Sequence, residues 1–266
     1  MSGAASLMSP VVPDSEHRLE PVRVFGGLAT RSAKMRAALA ILERLAASDG
    51  SLLIEGETGV GKEVAAESVH RASSRRGSPF IVFDCAAKSV EAGERELFGS
   101  EEERASAVPA MAGILELAQG GTVLLDHIDE LALPLQSRLL RALERREIRR
   151  VGGTHSIDLD LRVIAACTRG LRREVRLGAF KRELYVQVCA ECVRIPPLRQ
   201  RLEDLTPLAQ EFLASFQPPR VPSDIPEHVW AAFRTYQWPG NVRELKNALQ
   251  RAVVVPDRAL RFTRGR

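Results

Sequence analysis

The chain has 266 residues, of which 45% are hydrophobic and 27% charged, a composition that indicates a globular protein with a substantial core and excludes a disordered chain. The formal net charge of +4 permits contact with nucleic acid without requiring it, because solvated arginine-rich helices give the same balance. The sequence has no apolar run of roughly 18 residues or more, and its N-terminus lacks the pattern of a signal peptide, so we expect no membrane span and a cytoplasmic location.

Strands and helices alternate along most of the chain. Residues 1–22 are rich in serine, proline and small residues and predict a flexible tail. In SAKMRAALAILERLAAS, apolar residues recur near the helical period and predict an amphipathic helix. The predicted strands are SLLIE, PFIVFDCA, TVLLD, LRVIAACT and CVRIPPL, and helices are predicted from Val64 onward and in LQSRLLRALERREI. This alternation predicts an α/β fold in which a parallel sheet carries helices on both faces, a three-layer α/β/α arrangement.

The pattern changes near Arg199. The segments EDLTPLAQEFLASF, PEHVWAAFRTY and NVRELKNALQRAVV are all predicted helices, with prolines and glycines between them. We therefore predict two domains after the tail. An α/β domain covers residues 23–199, and a small all-helical domain covers residues 200–266 and ends in a short basic tail.

Two of the four cysteines, Cys189 and Cys192, have the C-x-x-C spacing that is found in redox and zinc sites. The sequence offers no second C-x-x-C or H-x-x-x-H pair to complete a tetrahedral zinc site. The surrounding segment ELYVQVCAECVRIPPL predicts a half-buried strand. Between a redox pair and buried, inert thiols, we expect the inert thiols.

The segment GETGVGKE has the pattern G-x-x-x-x-G-K and lies between a predicted strand and a predicted helix, which is the setting that a phosphate-binding loop needs. The glycines let backbone N–H groups turn toward a phosphate, the helix N-terminus adds a favourable dipole, and Lys62 adds a positive charge. A glycine-rich turn that binds no nucleotide is the alternative, and the flanking elements disfavour it. The predicted nucleotide-binding residues of the loop are Gly56, Glu57, Thr58, Gly59, Val60, Gly61, Lys62 and Glu63.

The segment GGTVLLDHIDEL ends an apolar strand on Asp126 and His127. Nucleotide hydrolases usually carry two acidic residues at this strand end, one for the metal and one for the attacking water. Asp126 can serve as the metal carboxylate. Histidine can act as a base near neutral pH, but its ring has a different reach from a glutamate side chain.

Several motifs together carry a family resemblance. In order along the chain they are GETGVGKE, DCAAKSVEAGERELFG, GGTVLLDHIDEL, LQSRLLRALERREIRRVGG, LRVIAACTRGL, IPPLRQRLEDL and WPGNVRELKNAL. Over residues 25–255 the chain resembles the AAA+ domain of sigma-54-dependent transcriptional activators. The resemblance implies a P-loop AAA+ fold with a small helical lid, the cofactors ATP and Mg²⁺, and a ring that remodels the sigma-54 RNA polymerase holoenzyme.

The resemblance also implies roles for single residues. Lys62 and the loop amides would hold the phosphates, and Asp126 would handle Mg²⁺. Thr168, at the end of LRVIAACT, takes the sensor position beside the γ-phosphate. Arg243, in PGNVREL, takes the position of the lid arginine that reaches back to the nucleotide.

Five positions or segments depart from the family pattern. His127 stands where the family has a glutamate, Thr168 where it has an asparagine, and Asp84 where an asparagine holds that glutamate. If FKRELYVQV is aligned on Phe180 and Leu184-Tyr185, Lys181 and Gln187 occupy the positions of the trans-acting arginines, and Arg182 could replace one of them only with a one-residue shift. A missing arginine finger typically costs about 10³ to 10⁵ in turnover. The segment SEEERASAVPAMAG lacks the Gly-Ala-Phe-Thr-Gly-Ala loop that touches sigma-54. We hypothesise that Asp84 and His127 pair with each other.

These substitutions predict a transcription regulator that binds nucleotide, hydrolyses it weakly or not at all, and lacks the normal sigma-54 contact. An alternative is a slow, divergent ATPase that uses His127 and remodels a different protein. A decaying fragment without function is the third interpretation. The expected partners are the sigma-54 holoenzyme or an active AAA+ relative in a homo- or hetero-oligomeric ring. No sequence-specific DNA-binding helix pair is visible.

Overall fold

A computed structural model of the chain describes residues 21–86, 89–101 and 110–254. Most of the predicted N-terminal tail, the basic C-terminal tail and residues 102–109 of the segment that replaces the sigma-54-contacting loop lie outside these described residues. The β-strands are β1 (Arg23–Phe25), β2 (Leu28–Thr30), β3 (Leu52–Glu55), β4 (Phe80–Asp84), β5 (Gly99–Ser100), β6 (Met111–Ala112), β7 (Thr122–Asp126), β8 (Glu147–Ile148), β9 (Ile157–Asp158), β10 (Arg162–Cys167) and β11 (Glu191–Arg194). The α-helices are α1 (Ala33–Ala46), α2 (Lys62–Arg71), α3 (Val90–Phe98), α4 (Ile114–Leu117), α5 (Leu133–Arg145), α6 (Leu171–Arg176), α7 (Arg182–Val188), α8 (Leu205–Ala214), α9 (Glu227–Thr235) and α10 (Asn241–Val254).

The largest sheet in the described part of the chain has five parallel strands in the order β11-β3-β10-β7-β4. All six residues of β10 and the first four of β7 are buried, which is the burial expected for parallel strands covered on both faces. The strands are in register so that Cys167 pairs with Glu55 and Asp84 pairs with Asp126. The carboxyl ends of four strands therefore meet at one edge of the sheet, where open α/β sheets bind ligands.

Apolar clusters lie on both faces of this sheet. One contains buried residues of α1 and α2, and the other contains buried residues of α3, α5 and α7. The predicted amphipathic helix is confirmed as α1, with Met35, Leu39, Leu42 and Leu45 buried. The predicted three-layer α/β/α class is confirmed as well.

A third apolar cluster holds the helices α8, α9 and α10 together and extends from Leu198 to Ala252. Its centre is aromatic. The Phe233 ring meets Trp230 and Trp238 edge-on, with centroid distances of 5.8 and 5.2 Å. These residues form the predicted small helical lid, although the predicted domain boundary at residues 199–200 remains a prediction.

Two predicted elements differ from the structure. Helix α2 begins at Lys62 rather than at Val64, so the loop's lysine lies in the first helical turn. The segment ELYVQV is not part of a strand but forms most of α7, and the strand that follows is only β11. Leu184 and Val188 lie four residues apart and are both buried, because α7 packs against α5. This packing outweighs the strand preference of the valines.

The expectation of buried thiols in the C-x-x-C pair is wrong, although the other two cysteines, Cys85 and Cys167, are buried. Cys192 is exposed and Cys189 is half-buried. Cys189 ends α7, and Cys192 lies in β11 at the edge of the sheet. The pair lies where the chain passes from a helix to the edge strand of the sheet. An edge strand has a neighbouring strand on one side only, so its residues are less covered than those of an inner strand.

Candidate functional site

The predicted phosphate loop joins β3 to α2 at the carboxyl edge of the sheet. Gly59 and Gly61 have φ angles of 78° and 104°, in the left-handed region that favours glycine. A Cβ atom on Gly59 would lie 2.3 Å from the Gly240 carbonyl oxygen, so no larger residue fits without movement of the backbone. The first backbone N–H groups of an α-helix have no partner within the helix, and α2 begins directly after the loop. This arrangement favours a bound anion.

Lys62 is 7% exposed and reaches back over the loop. Its Nζ donates to the carbonyl oxygens of Gly56 and Glu57, at 2.8 and 3.3 Å, and to Thr168 Oγ1 at 3.2 Å. Burial lowers the pKa of Lys62, and the negative charge of Asp126 opposes that effect. Since burial disfavours the ammonium charge, an anion placed in the loop would stabilise it.

Asp126 and His127 lie where β7 ends, beside Asp84 at the end of β4. His127 Nδ1 is 3.1 Å from Asp84 Oδ1 and 3.6 Å from Asp126 Oδ2. The hypothesised contact between Asp84 and His127 is therefore present. The His127 backbone has φ 51° and ψ 41°, and its N–H donates to Asp126 Oδ1 at 2.9 Å. A left-handed conformation at a residue other than glycine costs roughly 1 kcal/mol or more, and this hydrogen bond offsets part of that cost.

Thr168 follows the last residue of β10 and lies beside Lys62, as the sensor prediction requires. Asp129 fixes its position, because one carboxylate oxygen of Asp129 accepts from the Thr168 N–H at 3.3 Å. The other accepts from Arg169 Nε at 3.1 Å. The Asp129 side chain is 1% exposed. The sequence analysis gave Asp129 no role, and its place three residues after Asp126 was the only signal.

The lid touches the phosphate loop through the start of α10. Asn241 is fully buried, has φ 53°, and donates from Nδ2 to the Thr58 carbonyl oxygen at 3.0 Å. Its Oδ1 accepts from the Leu198 N–H at 2.8 Å. The N–H groups of Val242 and Arg243 both donate to the Gly59 carbonyl oxygen, at 2.9 and 3.2 Å. The sequence analysis identified Arg243 but missed Asn241.

Two further arginines hold the loop from the lid side. Arg199 forms a bidentate pair with Glu57, at 2.7 and 2.6 Å, and this pair lowers the pKa of Glu57. Arg201 is 2% exposed and donates to the Val60 carbonyl oxygen at 3.0 Å. Arg199 therefore engages the Glu57 carboxylate, and Arg201 engages the Val60 carbonyl group. The segment PLRQR carried both arginines, but their partners could not be assigned from sequence.

A cleft of about 280 Å³ opens between the loop, the end of β7 and the lid. Lys62, Arg243 and Lys246 bring positive charge to it, and Asp126 and Glu63 bring negative charge. The remaining lining residues are Thr58, Gly59, Gly61, Val64, His127, Phe212 and Val242. An excess of cations beside free helix amides suits a polyphosphate. Among the described residues no group of three or more His, Cys, Asp and Glu side chains could hold a metal. Mg²⁺ bound by one or two carboxylates and phosphate oxygens fits the donor set of Asp126 and Glu63.

Lys181 and Gln187 are not brought to this cleft. Lys181 precedes α7, and its backbone N–H donates to Gln136 Oε1 at 2.8 Å. Gln187 lies in the last turn of α7. Neither is among the residues that line the cleft, so a contact with a phosphate would have to reach the cleft of a neighbouring subunit. Their trans-acting role stays a prediction.

Comparison with known proteins gives two family matches. The family described as "Sigma-54 interaction domain" matches residues 28–193, and the one described as "AAA+ ATPase lid domain" matches residues 199–260. In the described part of the chain, no helix has the length and apolar character needed to cross a membrane.

Full-length relatives and solved structures agree with these matches. The chain is 39% identical over 264 residues to the Nif-specific regulatory protein of Enterobacter agglomerans, covering 96% of this chain and 51% of the relative. It is 43% identical over 224 residues to the response regulator FleR of Pseudomonas aeruginosa, covering 83% and 47%. The structure of NtrX from Brucella abortus in complex with ATP matches with a TM-score of 0.78 and 31% identity, covering 86% of this chain and 53% of NtrX. The chain thus spans about half the length of these curated relatives.

Proposed function

The chain belongs to the family of sigma-54-dependent transcriptional activators, and we propose that it is a nucleotide-binding regulator within that family. In this proposal the chain binds ATP with Mg²⁺ in the cleft between sheet and lid and hydrolyses it weakly or not at all. The observation that carries the proposal is the pair of residues at the end of β7. Lys62 Nζ is held by Gly56 and Thr168, whereas His127 stands at the position of the family's glutamate and lies against Asp84.

Nucleotide binding is supported by the loop geometry and by the relative NtrX, whose structures contain ADP and ATP. Lys62 would hold the β- and γ-phosphates, and Thr168, already bonded to Lys62, would lie beside the terminal phosphate. Arg243 would approach from the lid. Asp126 would hold Mg²⁺, which supplies charge neutralisation on the phosphate oxygens when it is bound.

Weak hydrolysis is supported by substitutions at separate catalytic elements. The glutamate that orients and polarises water is replaced by His127, whose Nδ1 is already engaged by a carboxylate. Lys181 and Gln187 stand in place of two trans-acting arginines, and lysine keeps the charge but loses the planar fork that grips a phosphate. Each loss alone reduces turnover by orders of magnitude, and a missing arginine finger costs about 10³ to 10⁵.

The proposed biological role is regulation of transcription without the normal sigma-54 contact, since the sequence of residues 100–113 lacks the family's contacting motif. The partner we propose is an active AAA+ relative, with which the chain would form a mixed ring, or the sigma-54 RNA polymerase holoenzyme itself. In either case the nucleotide would act as a structural clamp between the sheet and the lid.

A second function is favoured by the same contact at the strand end. If Nδ1 of His127 carries the ring proton and donates a hydrogen bond to Asp84, Nε2 is unprotonated and can serve as a general base. The chain would then be a slow ATPase that remodels another protein. Its turnover would rise with protein concentration, because the trans-acting segment belongs to a neighbouring subunit.

The deciding experiment measures ATP binding and ATP hydrolysis on the same preparation over a wide range of protein concentrations. Binding with a fluorescent ATP analogue, without turnover above that of Lys62→Ala, supports the nucleotide-binding regulator. Turnover that disappears in Lys62→Ala and grows with concentration supports the slow ATPase. Absence of binding contradicts both functions.

A further inference from the structure

The C-x-x-C pair is set apart from the other cysteines by its surroundings. Cys85 and Cys167 are 6% and 0% exposed, whereas Cys192 is exposed and Cys189 half-buried. The pair bridges two elements, because Cys189 ends α7 and Cys192 belongs to the edge strand β11. A side-chain hydrogen bond between the two thiols shifts the pKa of each of them. Solvent therefore reaches a pair of neighbouring thiols.

The hydrogen bond divides the two thiols into unequal partners. The bond from Cys192 lowers the pKa of Cys189 to about 6, with smaller contributions from the Tyr185 hydroxyl and the positive charge of Arg172. Burial and the negative charge of Glu55 oppose this effect. The same bond and burial raise the pKa of Cys192. Of the two thiols, Cys189 is therefore the one that loses its proton more readily.

A polar contact holds the Cys189 side of the pair in place. Arg172 Nε donates to the Tyr185 hydroxyl at 2.7 Å, and the Tyr185 hydroxyl in turn bonds to Cys189. Cys189 follows the last residue of α7, and its backbone N–H donates to the Tyr185 carbonyl oxygen at 3.0 Å. The guanidinium and hydroxyl therefore converge on one sulfur atom, which is the kind of electropositive, partly exposed setting in which cysteines react.

We propose that Cys189 and Cys192 form a dithiol site that reacts with hydroperoxides and closes to an intramolecular disulfide. The Cys189 thiolate attacks the O–O bond of the hydroperoxide, forms a sulfenic acid and, with one proton, releases an alcohol or water. The Cys192 sulfur then attacks the sulfenic sulfur, forms the S–S bond and releases water. In total two thiols lose two hydrogen atoms and the hydroperoxide is reduced.

The test uses the full chain, reduced beforehand and freed of reductant, then treated with a slight excess of hydrogen peroxide. Trypsin cleaves after Arg182 and Arg194, so both cysteines fall in one peptide, residues 183–194. The native protein is alkylated, digested and measured by mass spectrometry. We expect this peptide to lose two hydrogen atoms, while Cys85 and Cys167 stay reduced and serve as internal controls.

Two matched variants separate the roles of the sulfurs. In Cys192→Ser, we expect dimedone to trap a sulfenic acid on Cys189. In Cys189→Ser, we expect peroxide to react with Cys192 at least about tenfold more slowly, because that thiol remains protonated. Circular dichroism of both variants checks the fold. Equal reaction rates in the two variants, or a peptide that stays reduced while the whole chain is folded, would overturn the proposal.

Discussion

Lys62 is the residue on which the site depends most. It is buried, its Nζ has three oxygen partners, and the negative charge that raises its pKa most is Asp126. Those partners hold the ammonium group over the loop, where a phosphate would meet it. Burial of the ammonium charge among neutral partners costs free energy, and an anion bound beside it would offset that cost. The burial of Lys62 therefore favours binding of an anionic ligand.

We predict that Lys62→Ala weakens ATP-analogue binding by about tenfold to a hundredfold, since a hydrogen bond to a charged group is worth about 1.5–3 kcal/mol. Titration of a fluorescent analogue measures the change. Lys34→Ala, on the exposed face of α1, is the matched control and should bind within about twofold of wild type. Equal weakening in both variants would show that loss of general positive charge is responsible.

The pair Asp84–His127 supplies a second prediction at this scale. A double-mutant cycle with Asp84→Asn and His127→Glu restores the family's residues at both positions. We expect the double variant to hydrolyse ATP at least about tenfold faster than either single variant, because each single change leaves one side chain without a suitable partner. Additive effects in the cycle would mean that the 3.1 Å contact carries no functional coupling.

At the scale of elements, the lid is anchored to the phosphate loop by a small number of buried polar contacts. Asn241 connects the start of α10 to the loop and to Leu198, and Arg201 connects the preceding segment to Val60. In each contact, the side chain of Asn241 or Arg201 bonds to a backbone carbonyl or N–H group. The lid and the loop are therefore joined by direct hydrogen bonds.

We predict that Asn241→Ala destabilises the chain by about 2–3 kcal/mol, because it leaves buried backbone groups without partners and places alanine in a left-handed conformation. Asn247→Ala is the matched control. Asn247 lies on the exposed face of the same helix, so its replacement should stay within about 0.5 kcal/mol of wild type. Denaturant unfolding with and without ATP analogue measures both, and a wild-type midpoint for Asn241→Ala would contradict the anchoring role.

The elements show what could be predicted from the sequence and what could not. The buried strands β7 and β10, the loop and helix α2 were predictable because glycine spacing and apolar runs are local signals. Helix α7 was mispredicted, since its burial depends on contact with α5. The expectation that Cys192 is buried was wrong as well. The role of Asn241 was missed for the same reason. Its partners lie in the loop and at Leu198, far away in sequence.

At the scale of the whole molecule, the question is whether the chain works alone. The predicted binding residues Lys62, Asp126 and Arg243 line the cleft, but Lys181 and Gln187 lie on a different element and do not line it. If Lys181 and Gln187 have the predicted trans-acting role, they need a neighbouring copy. If the proposed ring forms, the binding residues and the trans-acting residues can be placed on different subunits and tested separately.

We predict that mixing two complementary variants gives more activity than either variant has alone. One carries His127→Glu and Asp84→Asn, so that it has a repaired cleft but no trans-acting arginines. The other carries Lys181→Arg and Gln187→Arg together with Lys62→Ala, so that it has the arginines but cannot hold nucleotide. Because a trans-acting arginine contributes about 10³ to 10⁵ in turnover, the mixture should hydrolyse ATP far faster than either variant alone.

The dependence on composition makes this test specific. Turnover per repaired cleft should rise with the fraction of arginine-bearing subunits and with total protein concentration, since both increase the number of mixed neighbours. The control is a second mixture in which a chain with Lys62→Ala alone replaces the arginine-bearing chain. It contains the same number of subunits but lacks the introduced arginines. Equal turnover in the two mixtures would mean that the positions of Lys181 and Gln187 do not reach a neighbour's cleft, and the segment before and within α7 would then have only a structural role.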